Sequence, residues 1–258
     1  MLTVSVCGAA GKMGSAVVKA VQNDKGLQLV GAVDAQSIDA DVGEIAGIGK
    51  VGVKINSSID DLKDTDVIVD FTNPEVVENN VLEALEKGAH VVVGTTGLSN
   101  EQIANIEKKS KETGRNVLIA PNFAIGAVLM MELSKKAAKY MDSAEIIELH
   151  HDQKMDAPSG TALKTADGLD IKSSEIANEK ETVKGSRGGL SEGIRIHSVR
   201  LPGLVAHQEV VFGAKGQTLT IRHDSIDRVS FMPGVVAAIK EVHNLPGVTI
   251  GLENIIKI

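Results

Sequence analysis

The sequence predicts an α/β chain: a doubly wound parallel sheet covered on both faces, plus an inserted α+β domain built on an open, largely antiparallel sheet. Three observations carry that reading. Short β-branched runs alternate with segments of helical period through the first half. Those runs lack polar alternation, as strands buried on both faces do. From Ile194 to His223 the alternation becomes strand-like, with no helix between.

Taken in order, Leu2–Val6 reads as a strand, Lys12–Gln22 as a helix and Leu27–Val33 as the next strand. Val67–Phe71 is a buried strand. Pro74–Lys87 is a helix opened by Pro, whose missing N–H costs nothing in a first turn, and closed by Gly88. His90–Gly94 follows as a strand, Asn100–Thr113 as a helix ended by Gly114, and Asn116–Ala120 as an apolar strand before Pro121. The pattern then changes. Ile125–Tyr140 is apolar and helical, Ala144–Leu149 extended, Ala162–Leu169 helical, and 170–192 a polar excursion of weak periodicity. Val235–Val242 is helical and Val248–Leu252 extended, which lets the tail return to the first sheet. The expected domains are residues 1–122 completed by 229–258, and residues 123–228 between them.

Composition narrows the function classes. With 258 residues, 43% of them hydrophobic and 24% charged, the chain is long enough for one large domain or two modest ones with real cores. Aromatics are 2% and the net charge is −7, so stacking platforms and counterion release are both lacking and nucleic acid is not expected as a partner. Cys7 is the only cysteine, which rules out an internal disulfide and a Cys-rich zinc site and makes the cytoplasm the expected location. The longest apolar stretch, Phe123 to Met131, falls far short of the roughly 20 residues of a spanning helix, so no membrane span is expected. No secretory signal is expected either.

The first motif is Gly8-Ala9-Ala10-Gly11-Lys12-Met13-Gly14, which follows a strand and opens a helix. Its first glycine permits the tight turn, the second lets backbone N–H groups approach a pyrophosphate, and the third lets helix and strand pack closely. Asp34 ends the second strand 20 residues after Gly14, placed to accept from an adenosine ribose. The spacing is GxxGxxG rather than GxGxxG, so strand, helix and acid together carry the dinucleotide reading. No arginine adjoins Asp34, so NADH is expected to serve well, and Lys12 in the loop lets NADPH serve too. Three further loops end later strands: Phe71 and Thr72 before Asn73-Pro74, then Gly94-Thr95-Thr96-Gly97, then Ala120-Pro121-Asn122-Phe123. Each alone reads equally as turn chemistry; together, on one sheet edge, they read as a cofactor site.

The densest polar cluster runs from Glu148 through His150, His151, Lys154 and Asp156 to Ser159, Gly160 and Thr161. It combines a group that titrates near neutrality, a cation, and a Ser-Gly-Thr opening whose N–H groups and helix dipole favour an anion. Ser159 also reads as a plain N-cap, and the histidines as residues leaving a strand. Acid catalysis with anion binding fits better than a metal site, because adjacent strand histidines point to opposite faces. His90, His197, His207 and His223 read as structural or interfacial; Arg200 and Arg228 could support an anionic ligand but read better as surface-paired; and Cys7 reads as a small buried hydrophobe.

With these strings in view, the chain resembles the 4-hydroxy-tetrahydrodipicolinate (dihydrodipicolinate) reductase family over essentially its whole length. The carriers are the glycine loop, Asp70-Phe71-Thr72, Gly94-Thr-Thr-Gly97, Asn122-Phe123, and above all His150-His-Asp-Gln-Lys-Met-Asp-Ala-Pro-Ser-Gly-Thr161. The resemblance implies reduction of a cyclic dicarboxylate of the lysine and diaminopimelate route. His150 would be the acid/base residue, Lys154 a second proton donor and substrate contact, and His151, Gly160 and Thr161 further contacts. It also implies that the inserted domain binds substrate and joins a homotetramer; separately, the two crossings between the domains, near Phe123 and Arg228, are expected to act as hinges. Two strings depart from the family's usual pattern, Gly203-Leu-Val-Ala-His207 and Phe231-Met-Pro-Gly234, and both leave the hinge or subunit contacts open. Two other readings compete: an aspartate-semialdehyde dehydrogenase, which needs a reactive thiolate that Cys7 is misplaced to supply, and a dinucleotide sensor, which would leave the His-Lys cluster idle.

Overall fold

A computed structural model describes residues 1–174 and 177–256. The chain opens with β1 (Leu2–Cys7), α1 (Lys12–Asn23), β2 (Leu27–Val33), α2 (Val42–Ala46), β3 (Ile55–Asn56), β4 (Val67–Asp70), α3 (Val77–Glu86), β5 (His90–Val93), α4 (Asn100–Thr113) and β6 (Val117–Ile119). It continues through α5 (Ile125–Ala138), β7 (Ser143–His150), α6 (Gly160–Asp167), β8 (Gly189–Ser191), β9 (Ile194–Arg200), β10 (Ala206–Ala214) and β11 (Gln217–Ser225). Last come α7 (Met232–Glu241) and β12 (Val248–Ile250). Contacts divide the chain into two units, Met1–Phe123 with the segment from Arg228 onward, and Ala124–Asp227.

The first unit is a seven-stranded sheet in the order β12-β6-β5-β4-β1-β2-β3, parallel throughout. Strand order reverses between β1 and β4, which makes the carboxyl ends of those strands the switch point where such sheets bind ligands. Both faces are covered, as the unbroken apolar runs require. Cys7, Ile68, Val91 and Val93 pack with Val77, Val81 and Leu85 of α3 and Ile106 of α4. The alternate positions Val4, Val6, Val67, Val69 and Val92 are equally buried, under the face that carries α1 and α7.

Most element ends shift by one or two residues from the sequence reading; one helix start and one unread stretch differ for identifiable local reasons. α3 starts at Val77 rather than Pro74, because the Asn73 side chain accepts the N–H of Glu75 at 3.0 Å and turns the chain before the helix begins. α2 and β3 lie in a stretch with no legible period. They are organised by Asp41, whose carboxylate accepts from the N–H groups of Gly43, Val51 and Gly52. Helix α4 matches its expected span, and its start is a capping box in which Ser99 and Gln102 satisfy each other's backbone N–H.

The second unit is a five-stranded sheet in the order β11-β10-β7-β9-β8. Its pairings are antiparallel except for β7 with β9, which run parallel. One face buries Ile146, Ile194, Ile196, Val210 and Phe212 against Ala138 of α5 and Ala162 and Ala166 of α6. On the other face, Ile147, Val199 and Val211 stay half-buried. The polar excursion is held by charge: Arg187 pairs with Glu145 at 2.6 Å and with Glu179 at 2.7 Å.

Candidate active site

In the first unit, the expected cofactor residues gather where the parallel strands end. Gly8 takes a positive φ of 76°, and a Cβ there would overlap the carbonyl of Phe71. The N–H of Gly8 donates to Val33 O at 2.9 Å, and that of Gly11 to Gly8 O at 3.0 Å. A Cβ on Gly14 would overlap the Gly8 carbonyl, so α1 can approach the loop this closely only with glycine there. α1 opens at Gly11 with no side-chain cap and no acid in its first turn, which leaves its N-terminus suited to an anion. Lys12 is exposed beside it. Asp34 accepts the N–H of Ala10 at 2.9 Å and of Gln36 at 2.9 Å, so its carboxylate is fixed at the mouth of the glycine loop.

The later loops are joined by a residue whose role the sequence reading did not assign. Asp70 is buried at the end of β4 and accepts from Thr72 Oγ1 at 2.7 Å, Asn80 Nδ2 at 2.8 Å and Thr95 Oγ1 at 2.8 Å. One carboxylate thereby ties the Phe71-Thr72 loop to the Gly94-Thr95-Thr96 loop. Gly94 is glycine because a Cβ would strike the Phe71 ring, which sits 5.7 Å from the ring of Phe123. That contact brings the Ala120-Pro121-Asn122-Phe123 segment to the same edge. Cys7 lies fully buried inside β1, and burial pushes its thiol up, so a thiolate mechanism has no nucleophile here.

In the second unit, β7 delivers Glu148 and His150 two residues apart, hence to one face of the strand. His150 Nδ1 lies 2.5 Å from Glu148 Oε2. His151, one residue on, is exposed. Lys154 holds Asp156 with contacts of 2.7 and 2.9 Å. Ser159 caps α6, its hydroxyl accepting from Ala162 N at 3.2 Å, so the N-cap reading of that residue holds. Gly160 and Thr161 form the first turn. A Cβ on Gly160 would meet nothing within 4 Å, and its φ is not left-handed, so neither packing nor backbone demands glycine there.

Arg200 overturns its reading as a surface pair. Its side chain is 18% exposed and its guanidinium spans the fully buried Glu148 carboxylate, Nη1 to Oε2 at 2.9 Å and Nη2 to Oε1 at 2.8 Å. The β7–β9 register, which sequence does not reveal, sets Arg200 opposite His150. Burial by itself would raise the Glu148 carboxyl, but hydrogen bonds from His150, Arg200 and Ser198 outweigh it and bring the pKa from 4.5 to about 2. The acid is depressed, so its stabilising contribution is complete above pH 4.5 and is lost as pH falls towards about 2. Denaturant titrations between those limits should show stability falling with acid, and a Glu148→Gln variant should have a flatter profile; equal slopes would refute the assignment.

A parallel sheet with a glycine-loop switch point, joined to an inserted domain carrying a histidine, a lysine and a Ser159-capped helix start with free space at Gly160, defines a two-domain nucleotide-dependent oxidoreductase. Comparison with known proteins narrows the class. Residues 2–123 match the model of the dihydrodipicolinate reductase N-terminus and residues 126–256 that of its C-terminus. The 4-hydroxy-tetrahydrodipicolinate reductase of Desulfitobacterium hafniense is 48% identical over 99% of both chains. That of Listeria monocytogenes is 47% identical over 99% of this chain and 100% of its own. The structure of dipicolinate-bound dihydrodipicolinate reductase from Paenisporosarcina sp. TG-14 superposes with a TM-score of 0.88 at 41% identity, covering 99% of this chain and 100% of that one. An amine dehydrogenase from Mycobacterium smegmatis, 16% identical with a TM-score of 0.65 over 96% of this chain and 94% of its own, shares the fold. The chain belongs to the dihydrodipicolinate reductase family. Among the described residues no group of His, Cys, Asp and Glu could hold a metal ion, and no helix is long and apolar enough to cross a membrane.

Proposed function

We propose that the chain reduces 4-hydroxy-tetrahydrodipicolinate to tetrahydrodipicolinate, in the cytoplasm and on the route to diaminopimelate and lysine. The observation that carries this reading is a histidine bonded to a buried carboxylate beside a helix N-terminus left open at Gly160. A neighbouring structure of 41% identity is dipicolinate bound, and dipicolinate carries its two carboxylates at the same ring positions as the proposed substrate.

The N-terminus of α1 would hold the cofactor's pyrophosphate, Asp34 its adenosine ribose, and the loops at Phe71-Thr72, Gly94-Thr95-Thr96 and Ala120–Phe123 its nicotinamide end. When bound, the reduced nicotinamide would supply a hydride to C4 of the substrate ring after the 4-hydroxyl has left as water with a proton from the neighbouring ring carbon. His150 holds the proton that returns to that carbon, and Lys154 serves as a second donor. Lys154, His151, Gly160 and Thr161 receive the substrate's carboxylates, through an ammonium, an imidazole, backbone N–H groups and a hydroxyl, while Ser159, whose N–H donates to Glu148 and whose hydroxyl caps α6, shapes the turn that presents them. The Ala124–Asp227 unit is the substrate domain. Its half-buried outer sheet face supports a homotetramer, and a monomeric mass at micromolar concentration would refute that assembly.

The test is a coupled assay in which freshly generated cyclic substrate is added to the protein with each reduced cofactor and nicotinamide absorbance is followed. Both NADH and NADPH should be oxidised; oxidation of neither would sink the reading. Lys12→Ala should weaken NADPH binding roughly tenfold more than NADH binding, because only NADPH carries the 2′-phosphate that this ammonium would meet. Fluorescence titration of each cofactor checks this, and equal losses would remove Lys12 from the 2′-phosphate site.

A further inference from the structure

Glu148 has no part in the steps above, yet it is fully buried, ionised and bonded to each arm of the substrate cluster. Its Oε2 meets His150 Nδ1, and its Oε1 accepts the N–H of Ser159, the cap of α6, at 3.3 Å. Arg200 bridges both oxygens and also donates from Nη2 to Asp156 O at 2.6 Å, the residue whose carboxylate grips Lys154. Proton donor, anion-binding turn and lysine loop therefore meet at one ion pair.

We propose that Glu148 and Arg200 form a positioning pair: Glu148 holds His150 through Nδ1 so that Nε2 presents the proton, and Arg200 keeps Glu148 from taking that proton while it anchors the Lys154 loop. This rests on the reading of His150 as the proton donor. A carboxylate at Nδ1 fixes which ring nitrogen faces the substrate and stabilises the imidazolium that must form before each turnover. A buried glutamate alone would compete for the proton, since burial disfavours its anion. Two guanidinium bonds and the Ser159 N–H leave it an acceptor only. The charged groups bonded to it are His150 from its own strand and Arg200 from β9. The facing residue on β10, Gln208, is neutral and donates to Thr165 instead.

Stability alone is a poor account of the pair. A buried ion pair gains little over well-packed apolar residues, and among the described residues Arg200 Nε has no hydrogen-bond partner although it is buried, a cost that an apolar residue would avoid.

The experiment is steady-state kinetics of the full chain with both substrates, in the wild type, Glu148→Gln, His150→Gln and the double variant. Glu148→Gln should lower kcat roughly 10- to 100-fold, the usual cost of losing a group that orients a functional histidine. It should leave the KM for NADH within about twofold and move the alkaline limb of the kcat–pH profile to lower pH. In the His150→Gln background the same change should cost almost nothing further, because a positioning residue has no effect once its client is gone. An undiminished kcat with an unmoved profile, or an equal loss in both backgrounds, would overturn the proposal. If Glu148→Gln leaves Arg200 unpaired and the fold fails, Glu148→Gln with Arg200→Gln removes both charges and supports the same comparison. Wild-type enzyme that oxidises neither cofactor, or His150→Gln with full turnover, would instead count against the reading beneath it.

Discussion

Replacing His150 by Gln lowers turnover roughly 10²–10³-fold while nucleotide binding stays intact, the usual worth of a positioned proton-transfer group. The expectation follows from how the imidazole is held. Nδ1 is committed to Glu148, the ring sits at the end of β7 with its side chain 14% exposed, and only Nε2 remains for a substrate. A glutamine preserves the size of the side chain and can hydrogen-bond, but its amide does not exchange a proton near neutral pH. Steady-state rates with saturating cofactor, beside a fluorescence titration of NADH, separate chemistry from binding. Unchanged turnover would pass the acid role to Lys154. His151→Ala offers the contrast: that residue is exposed beyond the strand end, so its loss should raise KM for substrate more than it lowers kcat.

Lys154→Ala weakens apparent substrate affinity roughly 10- to 150-fold, the equivalent of one charge-assisted hydrogen bond of about 1.5–3 kcal/mol. Without ligand the ammonium holds Asp156, whose side chain is 58% exposed, at 2.7 Å. A pair that open to water is weak, so a substrate carboxylate can displace it. On that proposal the second carboxylate contact would come from the first turn of α6, where Ser159 Oγ is engaged in capping and Gly160 leaves space. Pyridine-2,6-dicarboxylate should therefore compete with substrate, and its inhibition constant should rise in parallel in Lys154→Ala and Thr161→Ala. If those variants lose nucleotide affinity and keep that of the dicarboxylate, the cluster belongs to the nucleotide site instead.

Much of the architecture was legible because the signals are local. Strands β4, β5 and β6 announce themselves as short apolar runs, β1 and β2 as aliphatic runs interrupted at Thr3, Ser5 and Gln28, and α1 and α4 by period and by their glycine or Ser-led starts. The glycine loop is readable because each glycine answers a backbone demand within a few residues, such as the positive φ at Gly8 or the overlap at Gly14. The 150–161 cluster is readable because it is nearly contiguous. α2 and β3 were not, since Asp41 organises them through three backbone N–H groups rather than through any period.

By itself, then, the sequence determined the fold class, the family, and the residue types gathered in each loop, all properties of short windows of chain. Tertiary structure alone decided which of those residues act on one another. Arg200 lies 52 residues from Glu148 and reads as an ordinary strand-end cation until the β7–β9 register sets it opposite His150. Asp70 joins Thr72 to Thr95, 25 residues away, only because β4 and β5 pair in parallel and end together. The charge state of Glu148 has the same origin. Burial alone would favour its neutral acid; donors from two strands hold it at about 2, and their convergence is a matter of sheet register that no local pattern encodes.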